Sequence, residues 1–459
     1  MISLLHDWKE RIQSRAGVRA LAAITVVAAV GVIGTEILAF RRAHLWESQV
    51  RQPRHKLAAV QRSRLRASAI HLKRGNELAQ EGKGKAAIEQ YRQALEADPE
   101  SALAHNNLGN VFLEQGDTDE AIRHYRRALG ADPAYGLAHE NLGNALLAKG
   151  QIDEAMAHYR RALAADPKMI DARYGLAGAL ARKGRSAEAI GEFARVVKES
   201  PGFAEAYYGL GNVYFNQAKF DQAVEQYARA VKIDPGYAAA HFNMGNAWAK
   251  LGDAAKAAEQ YRLAIKHDAK NAQAYANLGN LLEAENNVEE ALVEYRRAIQ
   301  VNPRHAPAHY NLGNALLRKG DVDGAIAAYR GALKVDPRYV AARTNLGSAL
   351  EARDEPAKAM EEYRQALKVD PAYAPAHYNL AVLMEQRGET KGALEHFRRA
   401  VEINPADAEA HYQLGRLLMS GGKAAEAREH FHQALKADPG LTDARRSLER
   451  LSEPVGQKP

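Results

Sequence analysis

The strongest constraint on this chain is a proline that returns at a fixed step. Pro99, Pro133, Pro167, Pro201, Pro235, Pro303, Pro337, Pro371, Pro405 and Pro439 stand 34 residues apart, or 68 where Ala269 takes the proline's place. No insertion or deletion breaks the step, so the chain builds one small unit many times over. Numbering each repeat so that this proline is position 32 gives eleven repeats between Ser68 and Leu441. Position 20 is then alanine in every repeat, from Ala87 to Ala427, and position 24 is Tyr or Phe. Position 27 is alanine except at Val196, and position 8 is small, as at Gly109, Gly143, Gly211 and Gly279.

The spacing within a repeat is helical. Positions 4, 7, 8 and 11 follow the i, i+3, i+4, i+7 rule and carry stripes such as His139, Leu142, Gly143 and Leu146. A second stripe at 20, 24 and 27, here Ala155, Tyr159 and Ala162, lies on the helix that follows. Small residues at 8 and 20 let two antiparallel helices approach, and the aromatic at 24 fills the remaining groove. Between them the run KGQIDEA marks a turn at Gly150, with Asp153 expected to cap the second helix. Asp-Pro at 31 and 32 ends that helix, because a residue before proline is pushed out of the α region. A lone hairpin of this size cannot bury its apolar faces, so its stability must come from its neighbours.

The pattern G…A…[YF]…A…P at this period resembles the tetratricopeptide repeat, and the resemblance covers 374 of the 459 residues. It implies an all-α fold, a right-handed α-solenoid of eleven hairpins whose first helices line a concave groove. Thr442 to Leu451 resembles the extra helix that closes such arrays, and 452–459 is expected to be a disordered tail.

Outside the repeats the chain is different in kind. Residues 1–67 hold 12 Lys and Arg against 4 Asp and Glu, leaving 51 against 52 for the rest, so the net charge of +7 belongs to the N-terminal segment. A neutral repeat region argues against nucleic acid as a partner. Residues 1–19 place Leu4, Leu5, Trp8 and Ile12 on one helical face, as an interfacial helix would. Ala20 to Phe40 is 21 residues with Glu36 as its one charge, and it is expected to be a transmembrane helix; its apolar run is too long for a cleaved signal. Gly31 and Thr35 form a small-xxx-small pair that permits dimerisation and hence a homo-oligomer. Residues 41–67 form a basic connector near anionic lipid headgroups. The heavier Arg and Lys count after the apolar run favours an inner-membrane, single-pass arrangement with the solenoid on the cytoplasmic side. The absence of cysteine excludes disulfides, thiol catalysis and cysteine-ligated metals.

On the first helix, positions 2, 6, 9 and 13 lie opposite the buried stripe and are expected to be free of the hairpin interface. Position 6 is Asn at Asn107, Asn141, Asn243, Asn277, Asn311, Asn345 and Asn379. Position 9 is Asn at Asn76, Asn110, Asn144, Asn212, Asn246, Asn280 and Asn314. An amide both donates and accepts, so such columns suit the backbone of an extended peptide; hydrogen bonds within the array are the competing reading. The NLGN repeats are similar to those of O-linked N-acetylglucosamine transferase, whose groove holds polypeptides on such a ladder. No span is left for its catalytic domain, so glycosyl transfer is not implied. Breaks at Gly175, Gly178 and Gly209 divide the ladder into repeats 2–3 and 6–10.

Histidine recurs at position 4, at His71, His105, His139, His241, His309, His377 and His411. One per hairpin is not metal-ligand spacing, so packing is expected and no metal or cofactor is implied. Arginine pairs such as Arg126–Arg127, Arg160–Arg161, Arg296–Arg297 and Arg398–Arg399 are expected on a solvated face, balanced by acids along the helix. No phosphate loop, nucleophile elbow or His-Glu-x-x-His motif is present, which argues against an enzyme. The reading that follows is a membrane-anchored scaffold whose groove binds client polypeptides. An assembly or secretion factor for envelope polymers or appendages, and a substrate-recruiting subunit of a separate enzyme, stay open.

Overall fold

The structure, a computed structural model, describes residues 15–452. Their regular structure is helical throughout. Helix α1 (Arg15–Leu45) leads through six residues of wider winding, Trp46–Arg51, into α2 (Gln52–Gln80), which accommodates Pro53 within its first turn. From residue 68 onward α2 is the first helix of repeat 1, and α3 (Gly84–Ala97) is the second. The alternation continues through α4 (Ala102–Glu114), α5 (Thr118–Ala131), α6 (Gly136–Ala148) and α7 (Ile152–Ala165), and then in the same rhythm to Ala424–Ala437. Thr442–Ser452 forms a last helix with Ala444 fully buried and Leu448 and Leu451 packed on the final hairpin. By contacts the chain falls into two parts, residues 1–196 and 197–459, and hairpins stack in order within each.

Each hairpin closes on its position-24 ring. Ala155, Tyr159 and Ala162 are completely buried, as are Ala291, Tyr295 and Ala298 in the second part. The ring lies over the position-8 glycine so closely that a Cβ on Gly143 would meet Tyr159 Cε1 at 2.7 Å, and one on Gly279 would meet Tyr295 Cε1 at 2.6 Å. Glycine is there because the ring needs the space.

The turn between the helices uses a left-handed residue at position 15 in all eleven repeats. Eight are glycines, such as Gly150 at φ 77°, while Ala218, Asn286 and Asp354 adopt φ values of 57°, 63° and 59°. The turn ties off the first helix: the N–H of Gly150 reaches Leu147 O at 3.1 Å and that of Gln151 reaches Leu146 O at 2.9 Å.

The second-helix cap falls at position 16, where Asp117, Asp253 and Asp321 accept from the backbone N–H of Glu120, Lys256 and Gly324. Asp153, expected as a cap, is two residues too late. It lies inside the first turn of α7, and its carboxylate takes Lys183 Nζ of the next repeat at 2.7 Å. The same bridge recurs as Lys319–Glu289 at 2.7 Å and Arg353–Asp323 at 2.9 Å. At the far end of the second helix, Asp132 turns extended, and its side chain accepts from Ala134 N at 3.0 Å, fixing the Asp-Pro turn.

The N-terminal expectations are met only in part. Ala20 to Phe40 lies inside α1, but among the described residues no helix is long and apolar enough to cross a membrane. Side chains at Ala20, Leu21, Ile24, Val26 and Val27 lie outside the described residues. The connector is helical from Arg41 into the repeats. The expected interfacial face at Leu4, Leu5, Trp8 and Ile12, and residues 453–459 of the expected tail, lie outside the described residues.

Candidate functional site: an asparagine network on the first-helix face

The position-24 ring reaches past glycine 8 to the residue after it, and its hydroxyl meets an asparagine there. In the first part Tyr91, Tyr125 and Tyr159 donate to Asn76, Asn110 and Asn144 Oδ1 at 2.8, 2.8 and 2.7 Å. In the second, Tyr227, Tyr261, Tyr295 and Tyr329 donate to Asn212, Asn246, Asn280 and Asn314 at 2.7 to 2.9 Å. Burial pushes these phenols up, Tyr261 to about 12, so they remain hydrogen-bond donors at physiological pH.

The same oxygen takes a second donor from the next repeat. Asn107 Nδ2 donates to Asn76 Oδ1 at 2.9 Å, and Asn141 to Asn110 at 3.1 Å. Asn243, Asn277, Asn311 and Asn345 donate in the same way to Asn212, Asn246, Asn280 and Asn314 at 2.7 to 3.0 Å. Asn379 reaches Ser348 Oγ at 3.3 Å, the serine standing where the other repeats have asparagine. Apart from Asn144, which faces Gly175 in the next repeat, each position-9 amide oxygen thus joins the two helices of its own hairpin to the first helix of the next.

Positions 6 and 9 are therefore not free of the hairpin interface as the helical-wheel argument had them. Position 9 follows the glycine under the ring, so the phenol oxygen falls within its reach. What is left over is specific. Among the described residues, the Nδ2 groups of Asn110, Asn144, Asn246, Asn280 and Asn314 donate to no protein group, and Asn144 and Asn280 are exposed. Asn246, Asn277 and Asn280 line a hollow of about 280 Å³ with Phe215, Lys250 and Leu281.

The coupling between positions 9 and 24 was legible in the chain without an alignment. Asparagine at 9 always faces tyrosine, and the three phenylalanines, Phe193, Phe397 and Phe431, face Gly178, Val382 and Arg416. A hydroxyl is kept only where something receives it.

The position-4 histidines belong to a second network on the other side of the hairpin. His105, His139, His377 and His411 place Nε2 3.1 to 3.2 Å from the carbonyls of Pro99, Pro133, Pro371 and Pro405. A carbonyl only accepts, so Nε2 carries the proton and Nδ1 is bare. That bare Nδ1 meets Nδ1 of His124, His158, His396 and His430 at 2.8 to 3.1 Å, which fixes the second imidazole as the Nδ1–H tautomer. Arg173–Glu192 and Arg343–Glu362 occupy the same two positions as ion pairs at 3.1 and 2.9 Å. Simple packing was expected here; a paired polar bridge to the proline turn is what stands there. Among the described residues no three His, Asp or Glu side chains are grouped to hold a metal ion.

The tetratricopeptide-repeat family matches residues 72–136, 140–204, 208–274, 249–306, 276–339, 310–367 and 344–408, and a second profile of the same description matches 384–451. The chain belongs to the tetratricopeptide-repeat family. No curated protein matches it. Among solved structures, YrrB, described as a TPR protein with an unusual peptide-binding site, is similar at 24% identity over 42% of this chain and 99% of its own, with a TM-score of 0.35. The MamA protein is similar at 26% identity over 37% and 93%, with a TM-score of 0.35. Yeast Tom70 is similar at 14% identity over 84% and 94%, with a TM-score of 0.40.

Proposed function

We propose that this chain is a non-catalytic protein-interaction scaffold that holds extended client segments on its first-helix face through the unclaimed position-9 amides. The observation that carries this is the division of labour within each asparagine. Its oxygen is committed to the fold, while in repeats 2, 3, 6, 7 and 8 its Nδ2 donates to no protein group among the described residues. A fixed row of donors suits backbone carbonyls, which every polypeptide presents, so the reading is of a binder tolerant of client sequence. Asn107, Asn141, Asn243, Asn277, Asn311, Asn345 and Asn379 would support the row more than contact the client.

Ser348 supplies the separating experiment, because its hydroxyl pairs with the Tyr363 hydroxyl at 3.1 Å and accepts from Asn379 Nδ2 without offering an amide. Replacing Asn246, Asn280 and Asn314 with serine keeps an acceptor for each tyrosine and removes three donors. On an array of random extended peptides, the wild type is expected to bind many sequences and the triple variant few, with melting temperatures within a few degrees. Equal binding by the two would end the proposal.

Attachment to a membrane belongs to the same proposal. What supports it is the charge balance of residues 1–67 together with α1 side chains such as Val30, Val32, Ile33, Ile37, Leu38 and Phe40, each more than half exposed. Co-sedimentation of the full chain with anionic vesicles at low salt is the expected outcome, and its absence would end this part of the proposal.

A further inference from the structure

A hollow of the first part lies on the second-helix side, away from the asparagines. It opens between repeats 1 and 2 over about 900 Å³, floored by Leu95, Leu108 and the His105–His124 pair. A neighbouring hollow of about 450 Å³ lies between repeats 2 and 3, with Leu129, Leu142 and the His139–His158 pair. The two share Arg126 and Gly130. Gly130 is what joins them, since position 29 carries a side chain everywhere else, commonly a lysine such as Lys232 or Lys334.

The rim is cationic in an uncompensated way. Among the described residues Arg92, Arg127 and Arg161 have no carboxylate within ion-pair distance, and Arg126 approaches Glu154 only at 3.6 Å. At position 26 the arginines of the other repeats are paired: Arg195 with Glu192 at 2.9 Å, Arg229 with Glu225 at 2.8 Å, Arg297 with Glu294 at 2.9 Å and Arg399 with Glu402 at 2.6 Å. Acids along the helix balance the arginine at position 26 in those repeats and do not balance Arg127 and Arg161, whereas position-25 arginines such as Arg92 and Arg296 are without an ion pair among the described residues in both parts.

We propose that this double hollow docks an acidic, amphipathic segment of a partner protein, with leucine-like side chains on the apolar floor and carboxylates on Arg92, Arg126, Arg127 and Arg161. Charge complementarity selects the occupant. Glu96 and Glu100 on the same rim oppose a continuous polyanion such as nucleic acid, whereas separate carboxylates pass between them. Two hollows one repeat apart fit a segment with two apolar anchors better than a single small anion. Guanidinium groups without a carboxylate are ready to receive one in bidentate geometry.

The test uses the full chain and a fluorescent synthetic helix with glutamates along one side and leucines along the other. Its copy with glutamine for every glutamate should bind at least about tenfold more weakly. Gly130→Glu, a residue the chain already tolerates at this position as Glu96 and Glu402, closes the junction and should weaken the acidic helix by a similar factor. Arg127→Gln with Arg161→Gln should do the same, and the groove variant with serines at 246, 280 and 314 should leave it unchanged. Equal binding of the two helices, indifference to both rim variants, or displacement by heparin at lower concentration than by the unlabelled helix would each overturn the proposal.

Discussion

At the scale of single residues, most polar side chains that look available for chemistry are already used by the fold. Tyr295 is completely buried, and its hydroxyl is satisfied by Asn280 and by Glu283 Oε2 at 2.8 Å. Tyr295→Phe should lower stability by about 1 kcal/mol in urea unfolding, the usual net worth of such a bond, and leave peptide binding intact. The histidine pairs add a pH dependence. Burial first, then the facing imidazole, holds His124 and His158 down to about 4 from an ordinary 6.5. The unfolded chain therefore takes up protons before the folded one does, so stability falls as pH drops from about 6.5 towards 4. Melting curves across that window should show the fall. The double variant His124→Gln, His158→Gln should flatten it, because glutamine already fills this position at Gln90 and Gln260, where it meets His71 and His241 at 3.0 and 2.8 Å. An unchanged slope in the variant would exclude the pairs as its cause.

At the scale of the element, the hairpin was readable from the sequence because its determinants are local and repeated. Alanine at 20, the ring at 24 and the small residue at 8 state a helix-helix contact eleven times over, and Gly150 announces its turn. Asp153 misled because a helix's first turn favours acids almost as well as its cap does, so residue type alone cannot separate the two positions. The asparagine ladder was legible as a pattern, and its contact with the ring only through the pairing of Asn at position 9 with Tyr at position 24 across the repeats. A helical wheel gives directions on one helix, and the ring that crosses from the second helix is not on it. The turn makes its own prediction. Ala218 adopts φ 57° where eight repeats use glycine. Left-handed backbone is costly with a Cβ, so Ala218→Gly should raise stability by roughly 1 kcal/mol. Gly279→Ala should lower it, because its Cβ would press on Tyr295, and melting temperatures of the two single variants check both signs.

At the scale of the whole molecule, charge separates what packing does not. Residues 1–67 carry the excess positive charge, and the rest of the chain is close to neutral, so long-range attraction to an anionic surface must act through the N-terminal helices. Arg51, Arg54, Arg62, Arg64 and Arg66 are exposed on the stretch that leads into repeat 1, interleaved with the exposed side chains of Leu57, Val60 and Leu65. Each basic residue near a charged bilayer contributes on the order of 1 kcal/mol, screened within a Debye length of about 10 Å at 0.1 M salt. Binding of the full chain to vesicles containing phosphatidylserine should therefore weaken steeply with added salt. Replacing these five arginines with glutamine should remove most of that salt dependence, whereas serines at 246, 280 and 314 should leave it as it is. If the glutamine variant kept the wild-type salt dependence, the attraction would have to come from charges within the repeats, and the cationic rim between repeats 1 and 3 would be the place to look.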